Sequence, residues 1–211
     1  MPLMNISNFQ RTIKNKTMKV LHLISALICL VLCSCNSGTK SDLTKVSFGI
    51  HEVVKMGELP DSIINALKSM DIQFETNPEQ PVIGYSTNTD SVILQYQESH
   101  EKVKIVKTYY PVYKDHKYYV IVAVRPDPVI DNSDIKRTKV NGNMVEIYFN
   151  MEGARKWAEL TKQNVGNMVA FIIDNQIYTM PVINNEIRNG VALISGLENE
   201  TCARQLSEAL N

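Results

Sequence analysis

The sequence predicts an α+β fold in which antiparallel hairpins carry helices packed on one face. Two pairs of apolar strand-like runs are each separated by a short turn sequence, at 141–142 in one pair and at 174–176 in the other. Such turns between alternating apolar residues are typical of β-hairpins. Helical spacing of apolar residues is confined to three separate stretches. Long hairpins with segregated helices indicate α+β rather than a parallel α/β sheet.

Residues 1–34 are predicted to be a lipoprotein signal peptide. They contain four basic residues and no acidic one, together with a largely apolar run of 13 residues from Val20 to Leu32. A helix needs about 20 residues to span a bilayer, so this run is too short to cross it but suits the core of a secretory signal. Met18 is an alternative start, because the basic residues before it are more than such a signal needs.

The end of this segment resembles a bacterial lipobox. In the sequence LCSC, a small residue, Ser34, precedes Cys35, which would be lipidated and become the mature N-terminus. The sequence therefore predicts a lipoprotein of the bacterial cell envelope, with palmitate-type lipid on Cys35 as its membrane anchor and its body outside the cytoplasm. Residues 35–45 that follow are small and polar, which is the composition of a flexible tether.

Charge and cysteine content argue against several function classes. The chain has 22 basic and 22 acidic residues, and loss of the four basic residues in 1–34 leaves 18 against 22. A mildly acidic protein is not expected to bind nucleic acid, because phosphate binding relies on a basic surface. Besides the lipidated cysteine, only Cys202 would remain, so neither a disulfide framework nor a cysteine metal cluster is expected. Cys202 is predicted to be a small buried hydrophobe.

Residues 46–123 are predicted to form an N-terminal α+β region. Pro60 can open a helix there, because its missing N–H is not needed in the first turn. The last strand is apolar on both faces, as in a central strand covered on both sides. The elements are a strand, a helix, a second strand and a long hairpin, at 46–54, 60–70, 90–96 and 102–124.

Residues 124–211 are predicted to form the second unit, after a stretch rich in Pro and Asp. Asn150 and Asn199 precede apolar helical patterns and are suited to cap them, and Gly166 supplies a left-handed stop. The first of these helices carries one apolar stripe with Trp157 at its centre, formed by Ala154, Trp157, Ala158, Thr161 and Val165. The elements are a hairpin, a helix, a hairpin, a strand and a helix, at 134–150, 152–165, 168–183, 191–196 and 199–210.

Motifs of catalytic chemistry are missing from the sequence. It has no nucleophile elbow and no P-loop. Residues 51–55, HEVVK, begin like a zinc-protease helix, but Lys55 stands where the second histidine should be and the segment is strand-like. Acid and histidine pairs at 100–101 and 115–116 fall in a polar loop and a hairpin turn, which favours solvated turns. The sequence thus predicts no enzyme, no cofactor and no metal site.

A group of tyrosines accompanies the long hairpin of the first unit. Two interpretations stay open for them: an exposed aromatic platform for an extended peptide, or strand formers packed on a sheet. The tyrosines are at positions 109, 110, 113, 118 and 119.

The second unit, over residues 124–210, resembles the head subdomain of the first periplasmic domain of SecD, the protein-export membrane protein, which also occurs fused as SecDF. The family's transmembrane helices, which couple a proton gradient to export, have no counterpart here, so no transport activity is expected. Residues that match the family's pattern in order are Gly153, Ala154, Leu160, Thr161, Asn164, Val165, Gly166, Ala170, Asp174, Pro181, Val182, Ile183, Ile194, Gly196, Ala203 and Leu206.

This resemblance implies a binding module that contacts unfolded or exported polypeptide, or an envelope protein. The lipobox-like sequence predicts that the module reaches the membrane through its lipid anchor only. Two alternatives from other classes stay open. One is an envelope assembly lipoprotein that binds a folded partner or the cell wall. The other is an envelope hydrolase with a carboxylate site that the sequence does not reveal.

Overall fold

The computed structural model describes residues 45–70, 72–87, 102–112 and 118–211. Its helices are α1 Asp61–Lys68, α2 Met151–Gln163 and α3 Glu200–Leu210. Its strands are β1 Phe48–Val54, β2 Gln73–Phe74, β3 Val82–Ser86, β4 Lys104–Thr108, β5 Tyr119–Val124, β6 Ile130–Asp131, β7 Ile135–Asn141, β8 Met144–Phe149, β9 Val169–Ile173, β10 Gln176–Thr179 and β11 Val191–Ile194. The predicted α+β class is confirmed. The strand predicted at 90–96 lies outside the described residues.

Eight of the strands form one mixed sheet in the order β2-β3-β5-β4-β10-β9-β1-β6. Because β1 also pairs with β5, the strands β1, β5, β4, β10 and β9 close into a ring. Apolar side chains from these strands form a buried cluster, as in small barrels whose interior is filled by side chains. Its buried members are Val106, Val120, Val122, Val124, Ala170, Ile172 and Ile177.

Strand β5 is buried on both faces, as its sequence predicted. Val120 and Val122 belong to the cluster of the ring, whereas Ile121 and Ala123 pack in a second cluster with Ile63 and Leu67 of α1. The antiparallel pairing of β5 with β4 confirms the predicted long hairpin in its described part. Helix α1 therefore covers the side of β5 that faces away from the ring.

The second sheet has three antiparallel strands in the order β11-β8-β7. Helices α2 and α3 pack on one face of this sheet, and β1 and β9 of the larger sheet contribute to the same core. This core contains Phe48, Ile50, Val145, Ile147, Phe149, Trp157, Leu160, Phe171, Ile194, Leu206 and Leu210. Cys202 is half-buried against it.

The two units expected from the sequence share one sheet. Strand β1 pairs with β9 over five residues, from Phe48 opposite Ile173 to Glu52 opposite Val169. The described residues from 45 onward belong to one compact unit. A boundary between two units at residue 124 would therefore separate β1 from β9, with which it pairs. Sequence patterns show where strands lie, but not which distant strand each one joins.

Caps and turns follow the sequence closely. The Asn150 Oδ1 accepts a hydrogen bond from the Gly153 N–H at 2.9 Å, and the Asn199 Oδ1 accepts one from the Cys202 N–H at 2.9 Å, which confirms both predicted caps. Gly166 has φ +83°, as its predicted left-handed role requires.

The two hairpin turns differ in detail. Between β9 and β10, Asp174 and Asn175 have φ values of +47° and +65°, as in a type I′ turn. Between β7 and β8, Asn141 is still paired with Met144, so the two loop residues are 142–143, one position later than the turn sequence predicted. Gly142, with φ +60°, occupies the first loop position, where a type II′ turn requires glycine.

Candidate functional site

A groove of about 540 Å³ lies beside β11, and we call it the β11 groove. Its most deeply buried lining residues are Trp157, Phe171 and Ile183, which form an apolar floor. One wall is β11 itself. The other wall is the segment 179–189, whose lining includes Thr179, Asn184, Asn185 and Asn189. The groove thus combines an apolar floor with amide and hydroxyl groups.

Helix α2 fixes both walls of the groove through its apolar stripe. The Trp157 Nε1–H donates to the Val191 carbonyl at 3.1 Å, and the Thr161 Oγ1 accepts from the Ile187 N–H at 2.9 Å. Gly190, with φ +66°, packs so closely on Ala154 that a Cβ at position 190 would lie 2.9 Å from the Ala154 Cβ. The stripe is therefore more than core packing, because it positions β11 and the opposing segment.

Trp157 is 2% exposed, which confirms the prediction of a core residue. Val165, the last member of the predicted stripe, is 52% exposed. The prediction was wrong for this residue because α2 ends at Gln163, so Val165 no longer lies on the helix face that meets the core.

One side of β11 carries main-chain groups that no described strand pairs with. Alternate residues of an antiparallel strand bond to the same neighbour. The Gly190 carbonyl accepts a hydrogen bond from the Phe149 N–H, so the alternate residues Ala192 and Ile194 also direct their main-chain groups towards β8. Val191 and Leu193 direct their N–H and C=O groups away from β8. The Val191 N–H donates to the Asn189 Oδ1 at 3.1 Å, and its carbonyl accepts from the indole described above. Leu193 therefore presents the open edge.

The rim of the groove exposes apolar side chains and carries one charge. Leu193 is 42% exposed and Val182 is 45% exposed. Of the described residues that line the groove, Glu146 is the charged one. The Tyr148 hydroxyl donates to the Glu146 Oε2 at 2.6 Å and, with the Asn141 amide, holds the pKa of this carboxyl below its usual value. Lys139, which lies opposite Glu146 on β7, and Arg137 lower this pKa further.

A second cleft, of about 400 Å³, meets the β11 groove at Val182. It is lined by five charged side chains, and each has a partner. The contacts are Lys55 Nζ to Glu79 Oε2 at 3.5 Å, Arg125 to Glu58 Oε2 at 3.9 Å, and Asn164 Nδ2 to Glu52 Oε1 at 3.2 Å. These side chains are engaged with one another, so we take the β11 groove as the candidate site.

Several residues singled out in the sequence lie outside the described part of the chain. These are Cys35, Tyr113 and the pairs at 100–101 and 115–116. His51 lies in β1, where it is buried, and its Nδ1 is 2.9 Å from the Arg125 carbonyl. Burial lowers the pKa of His51. Among the described residues, no three His, Cys, Asp or Glu side chains are placed to hold a metal ion.

The tyrosines of the long hairpin gain a partner that the sequence did not indicate. The Tyr109 ring stacks on Tyr178 of β10, with centroids 4.5 Å apart, and meets Tyr110 edge-on at 4.7 Å. Tyr109 is 43% exposed, whereas burial raises the pKa of Tyr178. Tyr178 is adjacent because β10 pairs in parallel with β4. Local patterns carry no signal for such a pairing.

Sequence reasoning also missed the β11 groove. The run from Val191 to Ile194 was visible as a strand, but its edge position depends on the pairing of β8 with β7 and β11. The amides of Asn184, Asn185 and Asn189 were visible only as a turn-rich piece. Their convergence on one wall was not evident from their order.

The family SecDF, P1 head subdomain, matches residues 107–211. This part of the chain is a SecD-like head subdomain. The predicted resemblance is confirmed, and the match begins at 107 rather than 124, so it includes β5 and the end of β4. The whole β11 groove lies within this head subdomain.

The curated relatives are larger proteins, of which only a part matches this chain. The chain is 32% identical over 116 residues to protein translocase subunit SecD of Rhodothermus marinus, covering 51% of this chain and 19% of that protein. It is 39% identical over 66 residues to protein translocase subunit SecDF of Thermus thermophilus, covering 31% of this chain and 9% of that protein. The chain thus spans a fifth or less of the length of these relatives.

Among solved structures, SecDF in a super-membrane-facing form is similar, with a TM-score of 0.46 and 22% identity, over 80% of this chain and 19% of that one. None of the described helices of the present chain has the length and hydrophobicity needed to cross a membrane.

Proposed function

We propose that this chain is a module of protein export that binds extended, unfolded polypeptide in the β11 groove, without a cofactor and without turnover. The observation that carries the proposal is the side of β11 that no described strand occupies, next to an apolar floor. An extended chain can add to such an edge through main-chain hydrogen bonds, which depend little on sequence. The names of the relatives, protein translocase subunits SecD and SecDF, support a role in export.

The composition of the groove suits a changing set of ligands. Its apolar floor stabilises any apolar side chain, and the amides of Asn184, Asn185 and Asn189 can bond to a main chain. The carboxylate of Glu146 favours apolar or basic segments over acidic ones, mainly by steering their approach. These features favour weak binding of many different polypeptides over tight binding of a single polypeptide.

We also propose that the chain is attached to the envelope membrane by lipid on Cys35. The order of basic residues, apolar run and LCSC supports this anchor. Two acyl chains hold a protein stably on a bilayer, whereas one does not. Mass spectrometry should find diacylglycerol on Cys35, and Cys35→Ala should leave unprocessed precursor. A mature protein that begins at another residue would contradict the anchor.

Titration with an unfolded secretory protein tests the binding proposal. The full chain, solubilised in detergent, is titrated with a reduced, permanently unfolded secretory protein and with the same protein folded. We expect binding of the unfolded form alone. Val182→Asp should weaken this binding roughly fivefold, because the exposed part of a valine contributes about 1 kcal/mol when buried. Val165→Asp is the matched control, since Val165 is also exposed but lies outside the groove.

Other outcomes would favour the alternatives. Equal binding of folded and unfolded forms would indicate a dedicated folded partner, as in an assembly lipoprotein. Cleavage of peptides, esters or glycans by the wild-type chain would indicate an envelope hydrolase. Equal effects of the two valine substitutions would remove the β11 groove as the site.

A further inference from the structure

We infer that the bound polypeptide is recognised as an added antiparallel β-strand that pairs with Leu193. This inference rests on the proposed function and specifies the ligand of the same groove. It follows from the register of β11, from the state of the two edges of the three-stranded sheet, and from the position of the apolar floor.

The pairing window on β11 is short. Both main-chain groups of Val191 that point to the open side already have partners, the Asn189 Oδ1 and the Trp157 Nε1–H. On the other side of Leu193, the strand ends at Ile194, and Gly196 has φ +80°, which is incompatible with an extended strand. An added strand can therefore exchange one pair of hydrogen bonds, with the N–H and C=O of Leu193.

The opposite edge of the sheet is blocked at Thr138. The Thr138 N–H of β7 points away from β8 and donates to the Asn211 Oδ1 at 3.0 Å. The Asn211 Nδ2 in turn donates to the Thr138 Oγ1 at 2.7 Å and to the Ser207 carbonyl at 2.9 Å. This side chain takes the place that a strand would occupy. Exposed Lys139 on the same strand adds a charge of the kind that protects sheet edges. Pairing at Thr138 is thus disfavoured relative to pairing at Leu193.

The register sets which way each ligand side chain points. The ligand residue opposite Leu193, here called X, shares its face of the sheet, which is the face of Glu146. Its two neighbours point to the other face, towards the floor made by Trp157, Phe171 and Ile183. Glu146 stands directly opposite Leu193 on β8, but Lys139 of β7 faces the same residue from its other side. The contacts of the ligand with the groove therefore come mainly from the two neighbours of X.

N-methylation separates strand pairing from other modes of apolar binding. The probes are labelled peptides Ser-Val-Lys-Val-Ser, unmodified, N-methylated on the lysine, or N-methylated on the second valine. They are titrated by anisotropy against the full chain in detergent. We expect methylation of the lysine to weaken binding about tenfold or more, because it removes the donor to Leu193 and blocks close approach. Methylation of the valine should change binding less than twofold, because that N–H points away from β11.

Substitutions at Leu193 give the reciprocal test. Leu193→Pro removes the outward N–H without removing a bond to β8, and edge strands tolerate proline. It should weaken binding as much as lysine methylation does, whereas Leu193→Ala should keep most of it. Thermal melting checks that both variants fold; if the proline variant does not, the peptide series decides alone. If the two methyl groups weaken binding equally and unfolded protein still binds, strand pairing is overturned but the proposed function stands. Absence of binding by unfolded protein would overturn the proposed function itself.

Discussion

Trp157 can be reduced in two steps that separate its ring from its hydrogen bond. The indole lies 6.0 Å, centroid to centroid, from both Phe149 and Phe171. Trp157→Ala removes these contacts and should lower the free energy of unfolding by about 3 to 5 kcal/mol. Trp157→Phe keeps an aromatic ring but leaves the Val191 carbonyl without its donor, which costs about 1 to 3 kcal/mol. Since domains are stable by about 5 to 15 kcal/mol, the alanine variant should be marginal.

Urea unfolding followed by far-ultraviolet circular dichroism measures both losses. Fluorescence does not serve, because the chain has one tryptophan and both variants remove it. Met151→Ala is the matched control, because Met151 lies in the same helix and is 91% exposed, and it should change stability by less than about 0.5 kcal/mol. A Trp157→Phe variant as stable as the wild type would show that the indole does not hold β11 in place. A loss below about 1 kcal/mol for Trp157→Ala would refute its core role.

Two further predictions concern backbone and pH. Gly190→Ala should lower the melting temperature more than Gly142→Ala. Both positions have positive φ, but the new Cβ at 190 meets Ala154, whereas at 142 it meets nothing within 4 Å. Equal shifts would show that the chain next to β11 does not pack closely on α2. Burial lowers the pKa of His51, so its neutral form is favoured in the folded chain. Its contribution to the free energy of unfolding is complete above about pH 6.5. Below that value the contribution is lost, by up to about 1.4 kcal/mol per pH unit. Urea midpoints at several pH values should show this loss in the wild type and a smaller one in His51→Gln. Identical profiles would show that the pKa of His51 is the same in the folded and unfolded chains.

Local chemistry in the sequence determined much of the fold. Asn150 and Asn199 cap helices because their short side chains reach free N–H groups, and this depends on neighbouring residues alone. The turn at 174–175 and the burial of Trp157 are local in the same sense. These features could be predicted because their physical cause lies within one or two turns of chain.

Pairings between distant strands could not be predicted in this way. The parallel contact of β4 with β10, which brings Tyr178 to Tyr109, is set by packing of the whole ring. The open edge at Leu193 likewise exists because β8 lies between β7 and β11, which leaves β11 at the edge of its sheet. The candidate site therefore depends on how the strands pair. The sequence shows the residues of the site but not how they come together.

The pairing of β1 with β9 also has a consequence for the order of folding. The Ser47 N–H donates to the Asp174 carboxylate, 127 residues later in the chain. At a synthesis rate of roughly 5 to 20 residues per second, this partner is made roughly 6 to 25 seconds after Ser47. Contacts of such long range form late, and until then the apolar residues Phe48 and Ile50 lack their partners in β9. During its own biogenesis, the chain therefore passes through the same unfolded state as the polypeptides that we propose it binds.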